Sequence, residues 1–128
     1  MAVRGLVTIV DDDESVRESL PDLVELLGYS VEAFASAEAF LESKALTKTK
    51  CLVLDISMPG MSGPELAEEL RNRGVTIPVI FITAHRDEAS RPHVLAQGAV
   101  ALLLKPFSEG ALVGALDAAL GPAEKHTT

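Results

Sequence analysis

Apolar runs alternate with amphipathic segments along the whole chain. Five runs predict buried β-strands, namely residues 6–10, 30–34, 51–55, 78–83 and 99–104. The segments between them carry apolar residues at helical spacing and caps such as the Ser62–Glu65 capping box. Strands that alternate with helices predict an α/β fold with a parallel sheet. Right-handed crossovers then favour the flavodoxin-like strand order 2-1-3-4-5, with five helices on both faces of the sheet.

A proline and a glycine affect the first predicted helix, whose apolar stripe runs from Val16 to Leu27. Pro21 lies inside the stripe and is expected to kink the helix or loosen its first turns. Gly28 is expected to end it. No linker or repeat divides the chain, so residues 1–128 are expected to form a single domain with its core at about 5–120 and a frayed tail at 122–128.

The composition narrows the function classes. The net charge is −8, with 11 Lys and Arg against 19 Asp and Glu, so no basic face for direct nucleic-acid binding is expected. No apolar stretch approaches the roughly 20 residues that span a bilayer, and no secretion signal is recognised at the N-terminus. Cys51 is the single cysteine, which excludes an internal disulfide. These features favour a cytoplasmic protein without membrane contact.

Chemically capable side chains stand where the predicted strands end. The first strand is followed by Asp11 and Asp12, the third ends in Asp55, the fourth in Thr83, and the fifth is followed by Lys105. In open parallel sheets, ligands bind outside the carboxyl ends of the strands. The predicted strand order therefore brings three carboxylates, a hydroxyl and an ammonium into one cleft.

This combination suggests phosphoryl chemistry. Three carboxylates in one cleft repel each other unless one is protonated or a cation binds, and Mg²⁺ prefers carboxylate oxygens and bridges to phosphate. An aspartate can also act as a nucleophile and form an acyl phosphate, whose oxygens Lys105 and Thr83 would stabilise. Asp13 is one residue beyond the acidic pair, and we expect it to cap the first helix instead.

Four motifs in this order resemble the receiver domain of bacterial two-component response regulators, a CheY-like fold. They are IVDDDESVR (9–17), LVLDISMPGMSG (52–63), VIFITAH (79–85) and GAVALLLKPF (98–107). The resemblance covers roughly residues 5 to 120. The DDDESVR motif and the sequence SAEAFL at 36–41 are most similar to receivers that precede LuxR-type helix-turn-helix outputs.

The resemblance implies a role for each matching residue. Asp55 would accept a phosphoryl group from a histidine kinase. Asp12, Asp55 and the backbone carbonyl of Ser57 would bind Mg²⁺ (or Mn²⁺) directly, and Asp11 would act chiefly through a bound water. The same resemblance implies that the peptide bond between Lys105 and Pro106 is cis.

Further residues would control the response. Thr83 would bond one phosphoryl oxygen and reorient on phosphorylation, and Lys105 would pair with another. Ser57 and His85 occupy the two positions that tune the lifetime of the acyl phosphate in this family.

Two departures from the family pattern affect the predicted response. Leu102 stands where the family usually has Tyr or Phe, so the aromatic part of the switch is missing. Ser90-Arg91-Pro92 falls where a helix normally runs. We expect Ser90 to cap a late-starting helix that ends at Gln97, with a long loop at residues 84–89.

The implied partners are a sensor histidine kinase or histidine phosphotransfer protein, and a downstream protein or output domain. A phosphorylation-dependent homodimer is a further option, and the chain could be a stand-alone receiver or part of a larger regulator. One alternative is a haloacid-dehalogenase-like phosphatase, because Asp11, Asp13 and Ser15 mimic its Asp-x-Asp motif. Another is a degenerate receiver that acts as a scaffold.

Overall fold

The structure, a computed structural model, describes residues 5–84 and 98–121. Its strands are β1 (Leu6–Val10), β2 (Ser30–Phe34), β3 (Thr49–Asp55), β4 (Val79–Thr83) and β5 (Ala101–Leu104). The helices of these ranges are α1 (Glu14–Leu26), α2 (Ala37–Leu41), α3 (Gly63–Asn72) and α4 (Glu109–Leu120), with a 3-10 turn at Lys44–Thr47. The predicted helix ending at Gln97, its Ser90 cap, and residues 85–89 of the predicted loop lie outside the described residues.

The strands form one parallel sheet in the order β2-β1-β3-β4-β5, which confirms the predicted fold class. Strand boundaries differ from the predicted ones by one or two residues. β3 begins at Thr49 rather than residue 51, and its register against β1 shifts between Leu6 and Val7. β4 begins at Val79 and β5 at Ala101.

Helix α1 continues through Pro21 and ends where the sequence predicts. The proline removes one backbone donor, yet the helix extends from Glu14 to Leu26. Leu20 and Val24 are buried on its inner face, so the apolar stripe holds the helix on the sheet. Gly28 then adopts a φ of +101°, a backbone conformation that L side chains rarely adopt, and the chain turns into β2.

Two apolar clusters cover the two faces of the sheet, because successive strand residues point to opposite sides. The first joins Val7, Ile9 and Val53 to buried residues of α1 and α4. The second joins Leu52 and Leu54 to Phe40 of α2, Leu66 of α3 and other residues. Cys51 is buried in the first cluster, as a small core residue. Because both faces are covered, the carboxyl edge of the sheet is left for polar side chains.

No helix among residues 5–84 and 98–121 has both the length and the apolar composition to cross a membrane.

A pair of buried hydroxyl groups fixes the start of β3 and provides a test of the fold. Thr8 Oγ1 lies 2.7 Å from Thr49 Oγ1. The Thr49 hydroxyl donates to Ala45 O at 2.7 Å. Thr8 must therefore donate to Thr49, which links β1, β3 and the 3-10 turn.

We expect Thr49→Val to lower the free energy of unfolding by about 1–3 kcal/mol, because the Thr8 hydroxyl loses its acceptor and Ala45 O keeps only the hydrogen bond from the Lys48 N–H. Thr8→Val should lower it less, since Thr49 keeps its acceptor. The double variant should lower it by less than the sum of the two single variants. Urea unfolding of all four proteins measures these differences. Strictly additive effects would show that the two hydroxyl groups do not form this chain.

Candidate functional site

Three carboxyl groups meet at the carboxyl ends of β1 and β3. Asp11, Asp12 and Asp55 each place one carboxylate oxygen so that these atoms all lie within 4.8 Å of one another. Asp11 is fully buried and Asp55 is 5% exposed, whereas Asp12 is exposed to solvent. The predicted convergence of the acidic residues is therefore present, and the cluster opens to solvent on the Asp12 side.

Three hydrogen bonds hold Asp11 in position. Its backbone N–H donates to Phe34 O at 3.1 Å, and its carbonyl accepts from Arg17 Nη1 at 2.8 Å. Its Oδ1 accepts from the N–H of Asp13 at 2.8 Å. These contacts leave Asp11 Oδ2 directed at the other members of the site.

Asp13 is used differently from the acidic pair, as predicted. It is the N-cap of α1, and its Oδ1 accepts from the backbone N–H of Ser15 at 3.0 Å and from the Ser15 hydroxyl at 2.8 Å. The side-chain hydrogen bond from Ser15 is the main cause that lowers the pKa of Asp13. The boundary between the site and the helix start falls between Asp12 and Asp13.

Lys105 brings the positive charge. Its Nζ lies 3.1 Å from Asp11 Oδ2 and 3.9 Å from Asp55 Oδ2. Its backbone N–H donates to Thr83 O at 2.7 Å, which sets Lys105 directly beside the end of β4. The Lys105–Pro106 peptide bond is cis, as the resemblance implies.

The site has the donor atoms that a hard cation requires. Asp11 Oδ2 is buried, and Lys105 Nζ at 3.1 Å balances its charge. A cluster of carboxylate oxygens with one open side suits Mg²⁺, which keeps several of its waters. The residues present therefore fit the predicted ion.

Crowding of the acidic groups changes the protonation of Asp55. Its pKa rises to about 8, first because burial penalises the charged form and second because of the negative charge of Asp11. The Lys105 ammonium opposes this rise but does not cancel it. Without a cation, burial and the charge of Asp11 therefore favour the protonated form of Asp55.

Three of the four remaining predicted residues, Thr83, Ser57 and Leu102, are described by the structure. The Thr83 hydroxyl donates to Ala84 O at 3.1 Å. The Ser57 N–H donates to Asp55 Oδ1 at 3.4 Å, a long contact. Leu102 is half-buried against the cluster that contains Phe81. His85 lies outside the described residues.

Gly63 is a site residue that the sequence reasoning missed. A β-carbon at this position would collide with the backbone carbonyl oxygen of Asp55. Its N–H also donates to Ile56 O at 3.0 Å, so the start of α3 packs directly behind the acidic residue. The only sequence signal was a glycine between the capping Ser62 and Pro64, where a better helix former would be expected.

Comparison with known proteins places these features in a family. Residues 7–117 match the family described as the response regulator receiver domain. The chain is 43% identical over 116 residues to the response regulator protein TodT of Pseudomonas putida, covering 91% of this chain and 51% of TodT. It is 42% identical over 115 residues to the transcriptional regulatory protein FixJ of Azorhizobium caulinodans, covering 90% of this chain and 54% of FixJ.

Solved structures agree with this assignment. The response regulator StyR superposes with a TM-score of 0.82 at 46% identity, over 90% of this chain and 58% of StyR. The chain thus spans about half the length of the curated relatives that it matches. The strand order, the matched residues and these relatives together show that the chain belongs to the response regulator receiver family.

Proposed function

We propose that this receiver domain takes a phosphoryl group onto Asp55 from the phosphohistidine of a sensor histidine kinase or a histidine phosphotransfer protein. The observation that carries the proposal is the position of Asp55. It ends the central strand β3, it lies within reach of Asp11, Asp12 and Lys105, and the cluster opens to solvent. A carboxylate so placed can attack an incoming phosphorus atom.

The metal-binding part of the site would consist of Asp11, Asp12, Asp55 and the backbone carbonyl of Ser57, with Asp11 acting chiefly through a water. When bound, Mg²⁺ (or Mn²⁺) supplies positive charge that offsets the repulsion of the carboxylates and stabilises the phosphoryl oxygens. The buried Oδ2 of Asp11 supports this set, because a metal-bound water would donate a hydrogen bond to it once Lys105 turns to the phosphoryl group.

The transfer step uses residues on both sides of Asp55. One carboxylate oxygen of Asp55 forms a bond to phosphorus, the phosphorus–nitrogen bond to the donor histidine breaks, and the imidazole leaves with the electron pair of that bond. Lys105 would move from Asp11 to a phosphoryl oxygen, a short distance because its Nζ is already 3.9 Å from Asp55 Oδ2. The catalysis is limited to the domain's own phosphorylation and dephosphorylation.

Thr83 would couple phosphorylation of Asp55 to a change at the surface of the domain. Its hydroxyl now donates to Ala84 O, and a phosphoryl oxygen on Asp55 would be a stronger, charged acceptor. The hydroxyl would then turn towards Asp55, and Leu102 on the neighbouring strand would repack in place of the usual aromatic ring. Ser57 and His85 are proposed to set how long the acyl phosphate survives.

The phosphodonor would approach over α1. A groove of about 510 Å³ runs between α1 and the segment after β5, lined by Val16, Leu20 and Leu23 and by the loop residues Pro106 and Phe107. Lys105 lines the same groove, so the groove is continuous with the acidic site. An amphipathic helix that carries a phosphohistidine fits this position, because its apolar face would cover the groove beside Asp55.

The response downstream of phosphorylation is proposed from the relatives of this chain. A downstream protein or output domain would respond to phosphorylation, with a homodimer as one form of the response and the cytoplasm as the location. The acidic charge of −8 supports signalling through proteins rather than direct nucleic-acid binding by this chain. Whether the domain is stand-alone or part of a larger regulator, the proposed chemistry at Asp55 is the same.

The two alternatives are less favoured. The phosphatase hypothesis needs Asp13 as a catalytic acid, whereas Asp13 caps α1 through Ser15. The scaffold hypothesis assumes a degenerate site. Against it, Asp11, Asp12, Asp55 and Lys105 lie close together, and Thr83 ends the neighbouring strand β4.

Incubation with Mg²⁺ and acetyl phosphate should add one acid-stable, base-labile phosphate, detected by intact mass. Asp55→Asn should remove the labelling because the nucleophile is lost, and Lys105→Ala should slow it roughly 10- to 100-fold because a charge on the transition state is lost. Asp22→Asn, an exposed change on α1, serves as the matched control and should label like the wild type.

Labelling that persists in Asp55→Asn but vanishes in Asp11→Asn would overturn the assignment of the acceptor. Turnover of many equivalents of a phosphate monoester would support the phosphatase. Mg²⁺ binding without any incorporation would support the scaffold.

The raised pKa of Asp55 predicts a pH-dependent stability of the metal-free protein. Its pKa rises from 3.8 to about 8, so the folded protein holds a proton that the unfolded chain has lost. The wild type should therefore lose stability relative to Asp55→Asn as the pH rises from about 4 to about 8, after which the difference levels off. At about pH 8.5 in EDTA, Asp55→Asn should be more stable by roughly 1–3 kcal/mol.

Urea unfolding at several pH values measures this difference, with Asp22→Asn again as the control. Addition of Mg²⁺ should stabilise the wild type more than Asp55→Asn, since the variant lacks one charged ligand. Equal stability of wild type and Asp55→Asn across this pH range would contradict the buried, crowded state of Asp55.

A further inference from the structure

The SAEAFL sequence at residues 36–41 has no part in the chemistry described above. It forms α2, whose first turn is capped by Ser36 Oγ accepting from Ala39 N at 3.1 Å. The helix has only five residues, so propensity alone would not make it stable. Its place in the molecule must come from its contacts.

Backbone hydrogen bonds attach both ends of the loop between β3 and α3, residues 56–62. At its start, Ile56 N donates to Ile82 O at 3.0 Å, and at its end Gly63 N donates back to Ile56 O at 3.0 Å. Between these points the chain passes through Ser57, whose backbone carbonyl is the proposed metal ligand. The tip of the loop, residues 58–61, has no helix or strand hydrogen bonds to hold it.

Glu38 of α2 holds that tip. Its Oε2 accepts from the backbone N–H of Met61 at 3.0 Å. The contact is close, because a β-carbon on Gly60 would lie only 2.8 Å from the same oxygen. Gly60 has a φ of +75°, so a side chain there would be strained as well as obstructed.

Apolar packing attaches α2 to the same loop. Ala37 and Phe40 of α2 are fully buried, and they belong to one apolar cluster with Ile56 and Met58 of the loop. Met58 is 8% exposed and the following Pro59 has a restricted φ. The segment from Ser57 to Met61 is therefore joined to α2 twice, by the packing of Met58 and by the hydrogen bond of Met61.

Charge alone would oppose the position of Glu38. It lines a groove together with Glu65, Glu68 and Glu69, and no ion pair of Glu38 is found within the described part of the chain. Like charges near one another are unfavourable. The hydrogen bond to Met61 and the packing of α2 keep the carboxylate there.

We propose that Glu38 is a positioning residue for the metal site, which holds the β3–α3 loop through the Met61 N–H so that the Ser57 carbonyl faces Asp55. This inference rests on the proposed Mg²⁺ site. Glu38 itself touches neither the ion nor the phosphoryl group. Its carboxylate acts as a hydrogen-bond acceptor, and its charge is not required.

Magnesium titration of the full chain by calorimetry tests the proposal. Glu38→Ala should raise the Kd for Mg²⁺ roughly three- to tenfold, because a hydrogen bond that orders a ligand is lost. Glu38→Gln should keep a Kd close to that of the wild type, because the amide oxygen can still accept from Met61. Glu68→Ala is the matched control, since it removes one negative charge from the same groove without touching the loop tip.

Amide hydrogen exchange in EDTA gives a second readout that does not depend on the metal. Exchange at Met61 should be faster in Glu38→Ala than in the wild type or Glu38→Gln, while the midpoint of urea unfolding changes little.

Three results would overturn the proposal: an unchanged Kd in Glu38→Ala, an equal weakening by Glu38→Gln, or an equal weakening by Glu68→Ala. The latter two would assign the effect to long-range charge. Failure of the wild type to bind Mg²⁺ at all would instead contradict the metal site itself, so the two hypotheses fail in distinguishable ways.

Discussion

The repulsion among Asp11, Asp12 and Asp55 is the constraint on which the rest of the site depends. Their carboxylate oxygens are held within 4.8 Å of one another. The pKa of Asp55 rises to about 8, first because burial penalises its charged form and second because Asp11 repels it. Lys105 relieves part of it through Asp11 at 3.1 Å. The protein thus holds three acidic groups close together, and their repulsion is relieved by a proton or, as we propose, by a divalent cation.

The fold supplies the restraint that such an arrangement requires. The two apolar clusters cover the faces of the sheet and fix the ends of β1 and β3 relative to each other. Local contacts then refine the positions, with Arg17 on the Asp11 carbonyl, Gly63 behind Asp55 and Glu38 on the loop that follows. These contacts connect packing far from the cleft to the geometry within it.

Sequence patterns were sufficient for the strands and for the polar residues at their ends, because these are local properties. The sheet order, and with it the convergence of the acidic residues, followed from the right-handed crossovers of α/β folds. The division between Asp12 and Asp13 was also predictable, since an N-cap has a local signature. The roles of Gly63 and Glu38 were not. Each depends on a contact between segments that are distant in sequence, such as Glu38 with Met61. The preference of Lys105 for Asp11 over Asp55 likewise depends on tertiary distances.

Borohydride trapping followed by peptide mapping tests the central claim most directly. An acyl phosphate is reduced by borohydride, which converts the phosphorylated aspartate to homoserine at the modified position. After incubation with acetyl phosphate and Mg²⁺, the account predicts homoserine at position 55, with none when EDTA replaces the metal. Homoserine at position 11 or 12, or equal trapping in EDTA, would contradict a cation-dependent acceptor at Asp55.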